Sequence, residues 1–211
     1  MIDIKDQEQL LKLISNLLKE DIVCTAIGGT AMMFLGYKET TKDIDLVFND
    51  EKERQIFIEA IKEIGYKEKS LSGIYDQEHR EHKKRPKMFS RGDERFDLFL
   101  KDVFGYKLGK KFIERRDFIG KKELIVYVLS EEELILLKGI TGREKDYEDI
   151  ETIMNTNKEI DWDLIVDNAI KQKTSNSWIL IDLEENLQKL KEKFFIPHQI
   201  FDKIHQAEGK V

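Results

Sequence analysis

The sequence predicts an α+β protein, and three observations carry that reading. Apolar runs of strand length alternate with amphipathic helical patterns through the first part of the chain. Glycines stand where those runs stop. From residue 130 onward the pattern is helical throughout. The expected organisation is therefore a core over residues 1–129 and a C-terminal helical region over residues 130–211 that packs on it.

The elements follow in order. Residues 6–20 read as a helix, because Leu10, Leu11, Leu13, Ile14, Leu17 and Leu18 recur at helical spacing. Residues 22–27 are short, apolar and end at Gly28-Gly29, as a buried strand would. Thr30 is placed to cap a short helix over 31–35 that stops at Gly36. Residues 43–48 alternate: Ile44, Leu46 and Phe48 point one way, Asp43, Asp45 and Val47 the other. Residues 51–64 are helical, with Ile56, Ile58, Ile61 and Ile64 on one side, and Gly65 ends them. Residues 95–100 form a strand, and 118–129 a hairpin turning at Gly120-Lys121-Lys122. Ser130 to Glu133 and Thr141 to Glu144 each have the spacing of a capping box, opening helices over 131–138 and 144–154. Two or three helices follow residue 161, the last starting at Pro197. Trp162, Trp178, Phe194 and Phe195 are expected to anchor these helices in a core.

Composition narrows the function. With 40% hydrophobic residues the chain can bury a sizeable core, and with 37% charged residues its surface is heavily solvated. A net charge of −6 argues against indiscriminate coating of nucleic acid, though not against a local basic groove. The single cysteine, Cys24, lies in an apolar run and reads as a buried small residue. No long apolar span or cleavable leader is evident, so a cytoplasmic protein without a membrane partner is expected.

The chemistry concentrates at aspartates in strands, where aspartate is disfavoured. Asp43 and Asp45, two apart, point the same way and repel each other unless a cation lies between them. A hard divalent ion such as Mg2+ (or Mn2+) suits carboxylate oxygens and keeps room for water and phosphate. An Asp-x-Asp by itself fits a solvent-facing strand entry better; its position after a strand ending in Gly-Gly and a short helix is what favours the metal. Gly28 and Gly29 permit close backbone approach, and their amides with the helix start at Thr30 would offer N–H donors to a phosphate. Asp97 lies in a second strand pattern, on the side it shares with Phe99 and opposite Phe96, Leu98 and Leu100.

Taken in order, Ile27-Gly28-Gly29-Thr30-Ala31, Thr41-Lys42-Asp43-Ile44-Asp45-Leu46 and Phe96-Asp97-Leu98 resemble the nucleotidyltransferase (polymerase-beta-like) superfamily. The run from Lys138 through Arg143, Lys145, Asp146 and Asp149 to Ile150 is similar to the fourth motif of its abortive-infection toxin-like branch. The resemblance implies a mixed sheet flanked by helices. It also implies transfer of a nucleoside monophosphate from an NTP to a hydroxyl, on a tRNA 3′ end or a protein, with an antitoxin as a further partner. By position, Asp43, Asp45 and Asp97 would hold metal, and Asp97 would help deprotonate the acceptor. Gly28, Gly29 and Thr30 would seat the triphosphate. Lys138, Arg143 and Asp146 would belong to the nucleotide site, with Lys145 a further phosphate candidate. The chain departs from the pattern where relatives carry an Arg before the Asp-x-Asp, since Lys38 and Glu39 stand there.

Alternatives remain at this stage. Lys138 and Asp146 fit a structural ion pair as well as a functional one, and Lys145 and Asp149 fit structure better. The basic run Arg80 to Lys87 could bind RNA phosphates or be a solvated loop. His79 and His82 lack a second ligand pair for zinc. The whole chain could also be a non-catalytic nucleotide- or partner-binding module of a toxin–antitoxin-type pair.

Overall fold

The structure is a computed structural model describing residues 1–69, 86–109 and 112–209. Most of the basic run, and both His79 and His82, lie outside the described residues. The chain divides into two compact units. One comprises Met1–Leu108 and Phe112–Leu129; the other is built from Ser130 onward, joined by Gly109.

The first unit is organised by a mixed seven-stranded sheet. In chain order its elements are β1 (Ile2–Asp3), α1 (Ile4–Ser15), β2 (Ile22–Ala26), α2 (Gly28–Phe34), β3 (Thr40–Thr41), β4 (Asp43–Phe48), α3 (Glu51–Glu63), β5 (Lys67–Lys69), β6 (Lys87–Arg91), β7 (Glu94–Leu100), β8 (Phe112–Ile119) and β9 (Glu123–Leu129). The strand order is β5-β6-β7-β4-β2-β9-β8, and β1 pairs with β3 in a separate two-stranded ribbon. Strands β4 and β7 run parallel, as do β2 and β9, whereas β2 and β4 are antiparallel. The expected α+β class with a mixed sheet flanked by helices is what forms.

The alternation of β4 dictates its two faces. Ile44, Leu46 and Phe48 are fully buried, and α3 covers that side. Phe57 of α3 lies 5.4 Å from Phe48 and 5.5 Å from Phe96, ring centre to ring centre, and Tyr66 closes the row 4.9 Å from Phe96. Burying these rings fixes the register, since a one-residue slip would turn every side chain to the other face. The same alternation sends Asp43 and Asp45 to the opposite face.

Several boundaries differ from expectation, for local reasons. Helix α1 starts at Ile4, where Asp3 accepts from the Asp6 N–H, and stops at Ser15, whose carbonyl accepts from Lys122 N in the β8–β9 turn. Helix α3 buries Phe57, Ile58, Ala60 and Ile61, while Ile56 and Ile64 are only half-buried. Thr30 does not cap α2: the N-cap is Ile27, and the Thr30 hydroxyl turns to strand β4 instead. The hairpin forms, with its first strand beginning earlier, at Phe112. Cys24 is buried, and burial pushes its thiol pKa up.

The second unit holds α4 (Glu131–Gly139), α5 (Glu144–Thr156), α6 (Trp162–Gln172), α7 (Ile179–Leu190) and α8 (His198–Glu208). Ser130 caps α4 by accepting from Glu133 N, and the Glu133 carboxylate accepts from Gly109 N and Asn168 Nδ2. The second expected capping box does not form. Arg143 is the N-cap of α5, and Thr141 donates instead to the Lys138 carbonyl at 2.9 Å and to Asp146 Oδ2 at 2.6 Å. Pro197 is the N-cap of α8. The aromatic anchors are corrected: Trp178 and Phe195 are exposed, and Trp162 and Phe194 half-buried, because Ile165, Leu180, Leu183, Leu187 and Phe201 fill the helical core. No described helix is long and apolar enough to cross a membrane.

Candidate active site

Parallel pairing of β4 with β7 sets Asp45 directly opposite Asp97 and Asp43 opposite Arg95. Partner residues in such a ladder share a face, so all four side chains meet on the side away from α3. Asp97 is almost wholly buried, while Asp43 and Asp45 are half-buried. Further along the same face Val47 and Phe99 are buried, which limits the polar patch to the N-terminal ends of the two strands.

A cation already joins two of the acids. Arg95 Nη2 donates to Asp43 Oδ2 at 2.6 Å and to Asp97 Oδ2 at 3.1 Å, and Arg95 Nε is ion-paired with Asp97 Oδ1 at 2.9 Å. Burial works against charge on this guanidinium, but Asp97, Asp43 and Asp45 more than offset it and raise its pKa above the ordinary value. Arg95 was not singled out from the sequence. The signal was present: Arg95 and Asp97, two apart in a strand, must point the same way.

The Gly28 turn closes one side. Strand β2 is antiparallel to β4, and Ile27 N donates to the Asp45 carbonyl at 3.2 Å, so the chain leaves β2 beside Asp45. Gly28 has a φ of +54°, and a Cβ there would stand 2.7 Å from Asp45 Oδ2. Only a glycine meets both demands. A Cβ on Gly29 would meet Thr41 Oγ1 at 2.6 Å. Buried Thr30 accepts from Asp45 N at 2.8 Å and fixes the height of that aspartate relative to α2.

The donor set suits a hard divalent cation. Two carboxylate oxygens stand 2.6 and 3.1 Å from one nitrogen of Arg95, so both would have to close in to reach the roughly 2.1 Å of a Mg2+ ligand, and oxygen donors are what Mg2+ or Mn2+ takes. Among the described residues, no group of three or more His, Cys, Asp or Glu side chains stands in a geometry that could hold a metal ion. The guanidinium holds Asp43 and Asp97 in its own geometry.

In the helical unit, Lys138, Arg143 and Asp146 form an ion network with Asp149. Buried Lys138 donates to Asp146 Oδ1 at 3.2 Å and to Asp149 Oδ2 at 2.5 Å. Arg143 Nε donates to Asp146 Oδ2 at 2.5 Å, and its own side chain is 72% exposed. Burial would raise the Asp146 pKa, but Arg143, Lys138 and Thr141 together hold it below the usual aspartate value.

The mixed sheet flanked by helices agrees with the nucleotidyltransferase-like fold expected from the sequence. The chain belongs to the family described as a nucleotidyltransferase of unknown function (DUF6036), whose model matches residues 4–198. No curated protein matches it.

Proposed function

We propose that this protein is a divalent-metal-dependent nucleotidyltransferase that transfers a nucleoside monophosphate from an NTP to a hydroxyl acceptor. The observation that carries the reading is the register of Asp45 against Asp97, with Asp43 beside them and the Gly28 turn at their edge. Asp43, Asp45 and Asp97 would hold the metal, which when bound would neutralise charge developing on the phosphates. Asp97, the most buried of the three, would take the proton of the acceptor hydroxyl. The acceptor oxygen then bonds the α-phosphorus while the bond to the bridging oxygen breaks and pyrophosphate leaves. Gly28, Gly29 and Thr30 would seat the triphosphate through backbone N–H groups. Of the helical-unit residues expected to bind nucleotide, Arg143 and the further candidate Lys145 are exposed, while Lys138 and Asp146 are buried, and Asp146 would orient Arg143.

The proposed acceptor is an RNA, such as a tRNA 3′ end, or a protein hydroxyl, in line with the resemblance to the toxin-like branch. A cytoplasmic setting and an antitoxin partner belong to the same reading. Purified protein with Mg2+ is expected to transfer label from an α-labelled NTP to total RNA or total protein, and Asp45→Ala to lose that transfer. Equal labelling by the variant rejects the metal role of Asp45.

One observation favours a second reading, a non-catalytic nucleotide- or partner-binding module of a toxin–antitoxin-type pair. Arg95 neutralises Asp43 and Asp97 without any metal. Tight calorimetric NTP binding with no labelling of either acceptor pool would select that reading.

A further inference from the structure

We propose that Arg95 is a built-in counter-ion of the acidic site, which lets go of Asp43 and Asp97 when a divalent cation loads. The inference rests on the proposed metal role of the aspartates and adds a device that gates it. Arg95 cannot be an incidental surface partner. Its backbone is fixed opposite Asp43 on one neighbouring strand and opposite Ser90 on the other. Its guanidinium spans two carboxylates with two of its nitrogens. Both carboxylates meet one nitrogen, Nη2, so a cation shared by Asp43 and Asp97 would need that same space. The arrangement can also open. The side chains of Arg95 and Asp43 are 29% and 28% exposed, and only Asp97, at 5%, is sunk into the sheet. A long flexible side chain at the rim can swing to solvent while the aspartates stay on their strands.

The physical consequence has a definite sign. In the cation-free protein the guanidinium relieves repulsion among Asp43, Asp45 and Asp97, at the cost of competing with any incoming cation. Arg95 is therefore a positioning residue. Removing its charge should weaken the cation-free fold and strengthen cation binding. A guanidinium that merely organised the ligands would do the reverse to binding.

The test is direct Mn2+ binding to the intact chain, read by electron paramagnetic resonance, for wild type, Arg95→Gln, Arg95→Lys and Asp45→Asn. The expected result is a Kd for Mn2+ lowered roughly tenfold or more in Arg95→Gln, with a larger Mn2+-induced rise in Tm than wild type shows. Arg95→Lys, which keeps the charge but not the two-nitrogen fork, should fall between wild type and Arg95→Gln, and Asp45→Asn should bind poorly. Unchanged or weaker Mn2+ binding by Arg95→Gln overturns the counter-ion role while leaving the metal site standing. No Mn2+ binding by any of the proteins overturns the site reading and this inference together. If Arg95→Gln does not fold, the wild-type Arg95 Nε–H resonance decides: a shift on saturation with Mg2+ supports release, and an unmoved resonance overturns it.

Discussion

Gly28 shows how much one residue can be asked to do. Its positive φ and the 2.7 Å that a Cβ would leave to Asp45 Oδ2 are separate constraints at one backbone position. Gly36 shares the first, with a φ of +78°, but has nothing within 4 Å. The pair therefore separates backbone strain from crowding. Gly36→Ala should cost about 1–2 kcal/mol and leave nucleotidyl transfer intact. Gly28→Ala should cost about 1–3 kcal/mol and abolish transfer, because the added methyl displaces a carboxylate. Urea denaturation beside the labelled-NTP assay measures both. Similar activity in the two variants would separate the glycine turn from the chemistry.

At the scale of elements, the α4–α5 connection is held by charge rather than by the capping motif its spacing suggests. Thr141 and Arg143 both spend their donors on Asp146, which also faces Lys138. The sign of the resulting pH dependence follows from the lowered pKa of Asp146. Its stabilising contribution is complete above the ordinary value of 3.8 and is lost as pH falls through the lower value of the folded state. Asp146→Asn should therefore flatten the acid arm of the stability curve below about pH 4, as thermal melts from pH 2 to 6 would reveal. An unchanged acid arm would mean that the network does not couple to folding. Element identity was mostly legible in the sequence, because burial repeats with the period of the backbone: Ile44, Leu46 and Phe48 in β4, Leu10, Leu11 and Ile14 in α1. The misjudged features were those settled by distant partners. Thr30 turned from a cap to a strand anchor because Asp45 N lay within reach. Ile56 gave way to Phe57 because the aromatic row beneath α3 had room for a ring.

For the whole molecule, binding and folding are linked. An NTP with Mg2+ at a hundredfold excess over its Kd should stabilise the native state by about 2.7 kcal/mol. For a chain of 211 residues that is a rise in Tm of roughly 5–10 °C. Differential scanning fluorimetry would show it, and Asp45→Asn should remove most of it. A rise of equal size in the variant would place the nucleotide away from the carboxylates. The net charge of −6 adds that any acceptor RNA must be held by a local patch rather than by the general field.

The sequence by itself determined the class of fold, the strand faces and the three aspartates with their glycine turn, because periodicity and turn chemistry are local properties written in neighbouring residues. Only the tertiary structure decided that Asp45 stands opposite Asp97, and that Arg95 fills the space between Asp43 and Asp97. Register between strands fifty residues apart is set by packing, by the ring stack under α3 and the Thr30 bond to Asp45, and no local pattern encodes it.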